Sequence, residues 1–421
     1  MNILIVGSGG REHALAKKIS ESPLCSQLYI APGNSGTAAC GTNVKIDISD
    51  IAGIKSFSID HNIALVVVGP EAPLVEGITD AFRSPESQHI GVIGPASAAA
   101  QLEGSKAFAK KFMQKFNIPT AAYLEVTSHN LPDGLAFLDR MQPPYVLKAD
   151  GLAAGKGVLI IQDIDEAKQE LSAMLSGKFG AASHTVVIEE FLDGIEFSVF
   201  ALTDGKDYVL LPEAKDYKRI GEGDKGLNTG GMGAISPVPF VDKDMWAKVI
   251  ERIVKPTIDG LYSEQMDYVG FVFFGLINVK GNPMVIEYNC RLGDPETEVI
   301  LPRIENDLVT ILHSAAKREL SKVTIQTSDK AAATIVMVSA GYPESYTKGK
   351  EICCIDDVAT SQVFHSGTAS HQGKILTNGG RVLAITSLHE DFRRAVDISL
   401  RNADLIQYEG KYYRRDIGFD L

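Results

Sequence analysis

The chain has 421 residues, 45% hydrophobic and 22% charged, with a formal net charge of −12. That length exceeds what one hydrophobic core supports, so two to four domains are expected. The acidic balance argues against nucleic acid or an anionic membrane as a general partner, and still permits a small phosphorylated substrate held by a few local cations.

Met1-Asn-Ile-Leu-Ile-Val6 enters a strand at once, with no basic n-region or cleavage site. No apolar run approaches the roughly 20 residues that span a bilayer. The five cysteines (Cys25, Cys40, Cys290, Cys353, Cys354) show neither metal nor redox spacing. A cytoplasmic protein is expected. Residues 1 to about 103 alternate strand and helix: Ile3–Val6, Gln27–Ile30, Leu65–Val68 and Gly91–Ile93 are short apolar runs, and Arg11–Ser20 reads as a helix. This alternation predicts a parallel, doubly wound sheet with its ligand site at the carboxyl ends of the strands. Those ends carry Gly7-Ser-Gly-Gly-Arg-Glu12, Ala31-Pro-Gly-Asn34 and Gly69-Pro-Glu-Ala-Pro-Leu74. The first fails as a dinucleotide fingerprint, because Glu12 stands where G-x-G-x-x-G needs glycine. Gly9 and Gly10 before a helix, with Arg11 beside them, suit a single phosphate or serve only a tight turn.

A helix capped by Ser105 follows, and a strand-rich unit spanning about 123–192 reads as an insertion in a larger domain. Within it, Tyr145-Val-Leu147 leads into Lys148-Ala-Asp-Gly-Leu-Ala-Ala-Gly-Lys-Gly-Val158. The P-loop pattern fails there: the glycine spacing is wrong, no hydroxyl follows Lys156, and the next element is a strand. A strand–loop–strand cap that lays amides over phosphates fits, and so does an ordinary glycine-rich hairpin. Asp165 is read as the cap of a helix ending at Leu175, followed by strands over 185–192 and 196–201. A polar, glycine-rich loop runs from Asp216 to Gly233, and one long amphipathic helix from about Asp244 to Ser263. Strands at 271–279 and 283–288 lead to Asp294-Pro-Glu-Thr-Glu298, which reads as a helix start. From Ala331 the chain turns to short β-like runs and one helix at Asp391–Arg401, a small α+β C-terminal domain.

Glu287-Tyr-Asn289 puts two oxygen ligands, i and i+2, on one face of a strand end, a donor set suited to Mg²⁺ completed by phosphate and water. Arg291 follows on that face as a fork for a transferring phosphoryl group.

These residues resemble the glycinamide ribonucleotide synthetase family of ATP-grasp enzymes in purine biosynthesis. The resemblance runs through Gly9-Gly-Arg-Glu-His-Ala14, Gly69–Leu74, Gln101-Leu-Glu-Gly-Ser-Lys106, Lys148–Val158, Asn228-Thr-Gly-Gly-Met-Gly233, Cys290-Arg-Leu-Gly-Asp-Pro-Glu-Thr297 and Gly379-Gly-Arg-Val-Leu383. It implies an α/β chain, α+β in parts: a Rossmann-like N-terminal domain (1–103), an ATP-grasp domain (104–330) with the strand-rich unit as its lid, and the C-terminal domain (331–421). It implies that Lys106 and Lys148 contact ATP phosphates under the loop carrying Gly151, Gly155 and Gly157. Glu189, Glu190 and Leu192 would form the adenine hinge, and Glu196 would hold the ribose. Glu287 and Asn289 would bind Mg²⁺ or Mn²⁺. Asp216, Lys218, Asn228, Gly230 and Arg291 would line the acyl-phosphate centre. Gly9, Gly10, Arg11, Glu12, Glu71 and Asp294 would hold phosphoribosylamine. The implied reaction converts glycine to glycyl phosphate, which the amine of phosphoribosylamine attacks, with no enzyme nucleophile. A monomer or weak dimer is expected.

Three departures stand out. The family loop Gln-Asp-His-Lys-Arg is Lys215-Asp-Tyr-Lys-Arg219 here, Leu227 stands where proline is usual, and the strand Phe271–Ile277 lacks a carboxylate for a second metal. Another ATP-grasp carboxylate–amine ligase, a carboxylase-like enzyme on a phosphoribosyl substrate, and a non-enzymatic nucleotide-binding protein are the alternatives.

Overall fold

Alternating βα units in the first hundred residues give a five-stranded parallel sheet, ordered by strands 42–43, 27–32, 2–7, 63–68 and 91–93. The computed structural model describes residues 1–151, 157–180 and 184–421. Ile3, Leu4, Ile5 and Val6 are all fully buried, as are Leu65, Val66 and Val67, because helices cover both faces. The strand order reverses between strands 2–7 and 63–68, so Gly7 and Gly69 face each other at the switch point where such sheets hold ligands.

The lid is a four-stranded antiparallel sheet, ordered 123–127, 185–190, 145–149 and 158–161, with helices Leu131–Leu138 and Ile164–Leu175 against it. The second helix starts earlier than Asp165 suggests. Asp163 is the cap, its carboxylate accepting from the Glu166 amide. The centre of the lid loop, 152–156, lies outside the described residues, and Gly155 with it.

An eight-stranded sheet forms the body, in the order 282–289, 270–279, 195–203, 208–216, 233–236, 331–338, 381–389, 362–365. Its first five strands come from the middle segment, 104–330, and the last three from the C-terminal segment. The pairing of 233–236 with 331–338 carries the sheet across the expected boundary at residue 330. The long helix is interrupted: Lys243–Val249 and Lys255–Ser263 flank a widened turn at 250–254. Pro256 has no N–H to give the preceding turn, which loosens it. The helix expected at Asp294-Pro295 starts later, as a single turn at Thr297–Ile300, so it lends the site little dipole. Among the described residues no helix is long and apolar enough to cross a membrane.

Candidate active site

The nucleotide side is built where the lid meets helix Lys106–Lys115. Ser105 caps this helix by accepting from the Phe108 amide, while Asp150 accepts from the Ala107 amide and from the Ser105 hydroxyl. Lys106 is thereby fixed over the lid loop and donates to the Gly151 carbonyl at 3.2 Å. Val146 lies directly opposite Glu189 across the lid sheet, which puts Lys148 on the same face as that carboxylate. Glu189 is buried and takes two lysines, Lys148 and Lys110, each at 3.0 Å. Its side chain is thus committed to two cations, while of the other residues expected at the hinge Glu190 is exposed and Leu192 half-buried. The Gly157 carbonyl accepts from the Ala149 amide and closes the root of the loop. Lys110 is a residue the sequence reading missed. Its signal was its place four residues after Lys106, on the same helical face. Burial pulls the Lys110 ammonium down to about 8, against the opposing pull of Glu189. Lys106 is also lowered, first by burial and with Glu287 opposing.

The residues expected to hold metal and phosphoryl group lie at the end of strand 282–289. A register shift precedes Glu287, and beyond it Glu287 pairs with Gly275 and Asn289 with Phe273, on one face. Tyr288 points the other way, into the core, where its hydroxyl meets that of Thr257. A Cβ at Gly275 would stand 2.9 Å from Glu287 Cγ, so glycine gives this carboxylate its room. Among the described residues no group of three or more His, Cys, Asp or Glu could hold an ion. Two protein oxygens alone fit Mg²⁺ in a site that phosphate and water complete.

Arg291 joins the domains. It pairs with Glu103 at 2.9 Å and with Glu71 of the N-terminal domain at 3.3 Å, while Glu103 also accepts from the Cys290 amide at 2.6 Å. Burial pushes the Glu103 carboxyl up to about 7, with Arg291 opposing and Glu71 adding. Burial acts the same way on Glu71, but Arg291 and then Arg11 outweigh it and hold that carboxyl below its usual range. Burial raises the Cys290 thiol above its usual range, which fits a packing role better than a nucleophilic one.

Asp216 and Glu196 share Lys218, at 2.9 and 2.8 Å. Burial would lower the Lys218 ammonium, but Asp216 and Glu196 hold it well above its ordinary range. Glu296 faces this group. Burial, reinforced by Asp216, pushes its carboxyl up to about 7, with Lys218 opposing. Gly230 is gripped from the C-terminal domain: its amide donates to the Tyr342 hydroxyl at 2.9 Å and its carbonyl accepts from Arg381 at 2.5 Å. Asn228 stands apart, exposed on the small hairpin formed by 219–221 and 225–228.

The N-terminal loop is folded inward. Glu12 accepts from the Gly9 amide at 2.5 Å and pairs with Arg11 at 2.6 Å. A Cβ at Gly69 would lie 2.0 Å from Glu12, so Glu12 fills the switch point. Arg11 is 7% exposed and also donates to the Leu292 carbonyl, so its charge is committed within the protein. Asp294 accepts from the Arg11 amide at 3.4 Å and pairs with Arg381 at 3.0 Å.

The departures at 215 and 217 point away from the site. Asp420 takes the Lys215 ammonium at 3.2 Å and the Tyr217 hydroxyl at 2.8 Å, and Lys215 lies over the Tyr217 ring. Leu227 is exposed on the hairpin.

Three family descriptions match in succession: the phosphoribosylglycinamide synthetase N domain over residues 1–103, its ATP-grasp (A) domain over 104–297, and its C domain over 332–420. The phosphoribosylamine–glycine ligase of Haemophilus influenzae is 46% identical across 100% of this chain and 98% of its own length. That of Pasteurella multocida is 45% identical with the same coverage. Among solved structures, the Thermotoga maritima phosphoribosylamine–glycine ligase superposes with a TM-score of 0.85 at 35% identity, covering 99% of this chain and 100% of that one. The biotin carboxylase domain of Hydrogenobacter thermophilus 2-oxoglutarate carboxylase, solved with MgADP and bicarbonate, reaches a TM-score of 0.70 at 15% identity, covering 98% of this chain and 91% of that one. The latter likeness is one of fold alone.

Proposed function

The chain belongs to the phosphoribosylglycinamide synthetase (phosphoribosylamine–glycine ligase) family, and from that premise we propose how its side chains divide the work of joining glycine to phosphoribosylamine. The reaction is an ATP-dependent ligation of purine biosynthesis. A carboxylate is a poor electrophile, so the γ-phosphoryl group of ATP passes to a glycine oxygen, giving glycyl phosphate and ADP. The amine of phosphoribosylamine then attacks the carbonyl carbon. The C–O bond to phosphate breaks, the amine gives up a proton, and glycinamide ribonucleotide and phosphate remain.

Lys106 and Lys148 hold the ATP phosphates, the second oriented by Glu189, beside the loop root formed by Gly151 and Gly157. Glu190 and Leu192 line the adenine, and Glu196 holds the ribose once ATP draws it from Lys218. Glu287 and Asn289 hold Mg²⁺, with Mn²⁺ accepted by the same oxygen donors, and the bound ion supplies charge neutralisation at the phosphates. Arg291, Asp216 and Lys218 with the Asn228–Gly230 segment orient the glycine carboxylate and the forming acyl phosphate. Catalysis is positioning and electrostatic stabilisation, with water kept away by the lid. Phosphoribosylamine lies between the Gly9–Glu12 loop, Glu71 and Asp294.

The observation that carries this reading is the Arg291 bridge. Its contacts with Glu71 and Glu103 bring the phosphoryl end of the ATP-grasp sheet to the switch point of the N-terminal sheet, so donor and acceptor halves share one centre. Coupled ADP release, with phosphoribosylamine generated in place, tests it. Release requires both glycine and phosphoribosylamine; release at an undiminished rate with either omitted overturns the assignment.

A further inference from the structure

One carboxyl group in this centre is left over by the scheme above. Glu298 is 0% exposed, and neither of its oxygens accepts a hydrogen bond from any donor among the described residues. An ionised carboxylate in that position would be a buried charge with no donor, which proteins avoid by keeping the proton. The surroundings are closed. A Cβ at Gly10 would lie 2.3 Å from Glu298 Oε1 and 2.7 Å from the Ser366 hydroxyl, so only glycine at 10 lets the N-terminal helix, the Asp294–Glu298 turn and the C-terminal domain meet. Asp294 comes to the same turn: its Oδ2 lies 3.2 Å from where a Cβ at Gly9 would stand, one residue before the Gly10 position that meets Glu298. Asp294 is partly open, with 13% of its side chain exposed, and Arg381 holds it from one side and the Arg11 amide from another.

We propose that Glu298 is a positioning residue for the acceptor amine: it keeps its proton and donates it in a hydrogen bond to Asp294, so the pair carries one negative charge on the oxygen facing the site. The inference rests on the reading of Asp294 as a ligand of phosphoribosylamine.

Electrostatics support the division. Burial raises Glu298 well above the usual carboxyl range, with Asp294 adding to it and Arg381 opposing. Burial acts on Asp294 too, but Arg381, Arg11 and hydrogen bonds from the Arg11 amide and Glu298 outweigh it and hold that carboxyl low. The other groups facing the pair do not reverse this assignment. Glu296 adds negative charge next to Glu298, Ser366 is neutral, and Tyr342 reaches the pair only through Arg381. A single fixed carboxylate oxygen suits an amine, because it accepts one N–H and aims the lone pair at the acyl carbon. Two ionised carboxylates would repel, and Asp294 would swing out of line.

Three variants test the proposal in the full-length enzyme. Difference infrared spectra at neutral pH are expected to show a protonated-carboxyl C=O band in the wild type that is missing in E298Q. E298Q keeps an N–H donor for Asp294, so its KM for phosphoribosylamine at neutral pH is expected to stay near wild type. It is expected to lose the alkaline fall in kcat/KM for phosphoribosylamine that ionisation of Glu298 causes. E298A is expected to raise KM for phosphoribosylamine by about tenfold and leave KM for ATP unchanged. Should E298A fail to fold, the infrared and pH measurements on E298Q still decide. No missing band, or an unchanged pH profile in E298Q, overturns the role of Glu298. D294N separates the two claims: if it leaves KM for phosphoribosylamine unchanged, the assignment of Asp294 itself fails. If D294N raises that KM while E298Q matches wild type in spectrum and profile, only the present inference falls.

Discussion

The family resemblance implies the adenine hinge for Glu189, and strand alternation turns its side chain inward, where Lys110 and Lys148 meet it. Exchanging it for glutamine leaves two buried ammonium groups without a carboxylate between them. E189Q is expected to raise KM for ATP by about tenfold with KM for glycine unchanged; an unchanged KM for ATP in steady-state kinetics would refute the positioning role. Arg291 carries a larger expectation. R291A removes the charge proposed to face the transferring phosphoryl group and is expected to lower kcat by about a hundredfold or more. Full activity in that variant would favour a nucleotide-binding role without catalysis. That Glu287 and Asn289 share one face was legible from strand alternation alone, whereas Arg291 lies beyond the strand end, where alternation does not apply. The Lys110 and Arg381 contacts were not legible, because they depend on which helix or strand of another domain packs opposite.

Among the elements, the strand 208–216 and the C-terminal tail explain each other. Lys215 and Tyr217 flank Asp216 and so take the opposite face, where both end on Asp420. Two departures from the family loop are thus one local solution: a buried ammonium and a buried phenol answered by a single carboxylate near the end of the chain. D420A strands both groups. Thermal or denaturant unfolding is expected to show a loss of about 1–3 kcal/mol, and D420N, which still accepts from Tyr217, a smaller one. Unchanged stability in D420A would mean that solvent serves Lys215 and Tyr217 equally well. The helix starts were only partly readable. Asp163 and Asp165 both precede the same helix, and the cap geometry alone chooses between them. Asp294-Pro295 has the composition of a helix start, but Asp294 is taken up by Arg381 and the Arg11 amide instead.

Across the whole molecule, the first and last domains are joined through buried imidazoles. His13, on helix Gly10–Ser20, accepts at Nδ1 from the His365 amide at 2.8 Å, and the His365 ring meets the Thr368 hydroxyl at 3.0 Å. Burial, aided by His365, pulls His13 down to about 3, and burial pulls His365 down to about 4. Both rings are neutral in the folded protein where the unfolded chain, with an ordinary value of 6.5, takes up protons. The unfolded state then binds more protons, so stability is full above pH 6.5 and falls as pH drops toward 4. An H13N/H365N double variant, compared by calorimetry, is expected to flatten that acid limb; an unchanged slope would place these protons elsewhere. The alternating βα pattern announced the parallel sheet, and the apolar runs around 145–147 and 185–190 announced two strands of the inserted unit. The continuous eight-stranded sheet was hidden, because the pairing of 233–236 with 331–338 joins segments nearly a hundred residues apart in sequence. The Asp294–Arg381 contact lies at that seam and draws the C-terminal domain into the active site.

Activation of the glycine carboxylate by phosphorylation, before the amine attacks, is the step on which the assignment of this centre depends. Turnover of glycine carrying heavy oxygen in its carboxylate, with ATP and phosphoribosylamine, tests this directly by mass spectrometry of the products. One labelled oxygen is expected in the inorganic phosphate, and one in the amide carbonyl, for each glycinamide ribonucleotide formed. Unlabelled phosphate, with the second labelled oxygen released to water, would contradict activation by phosphorylation.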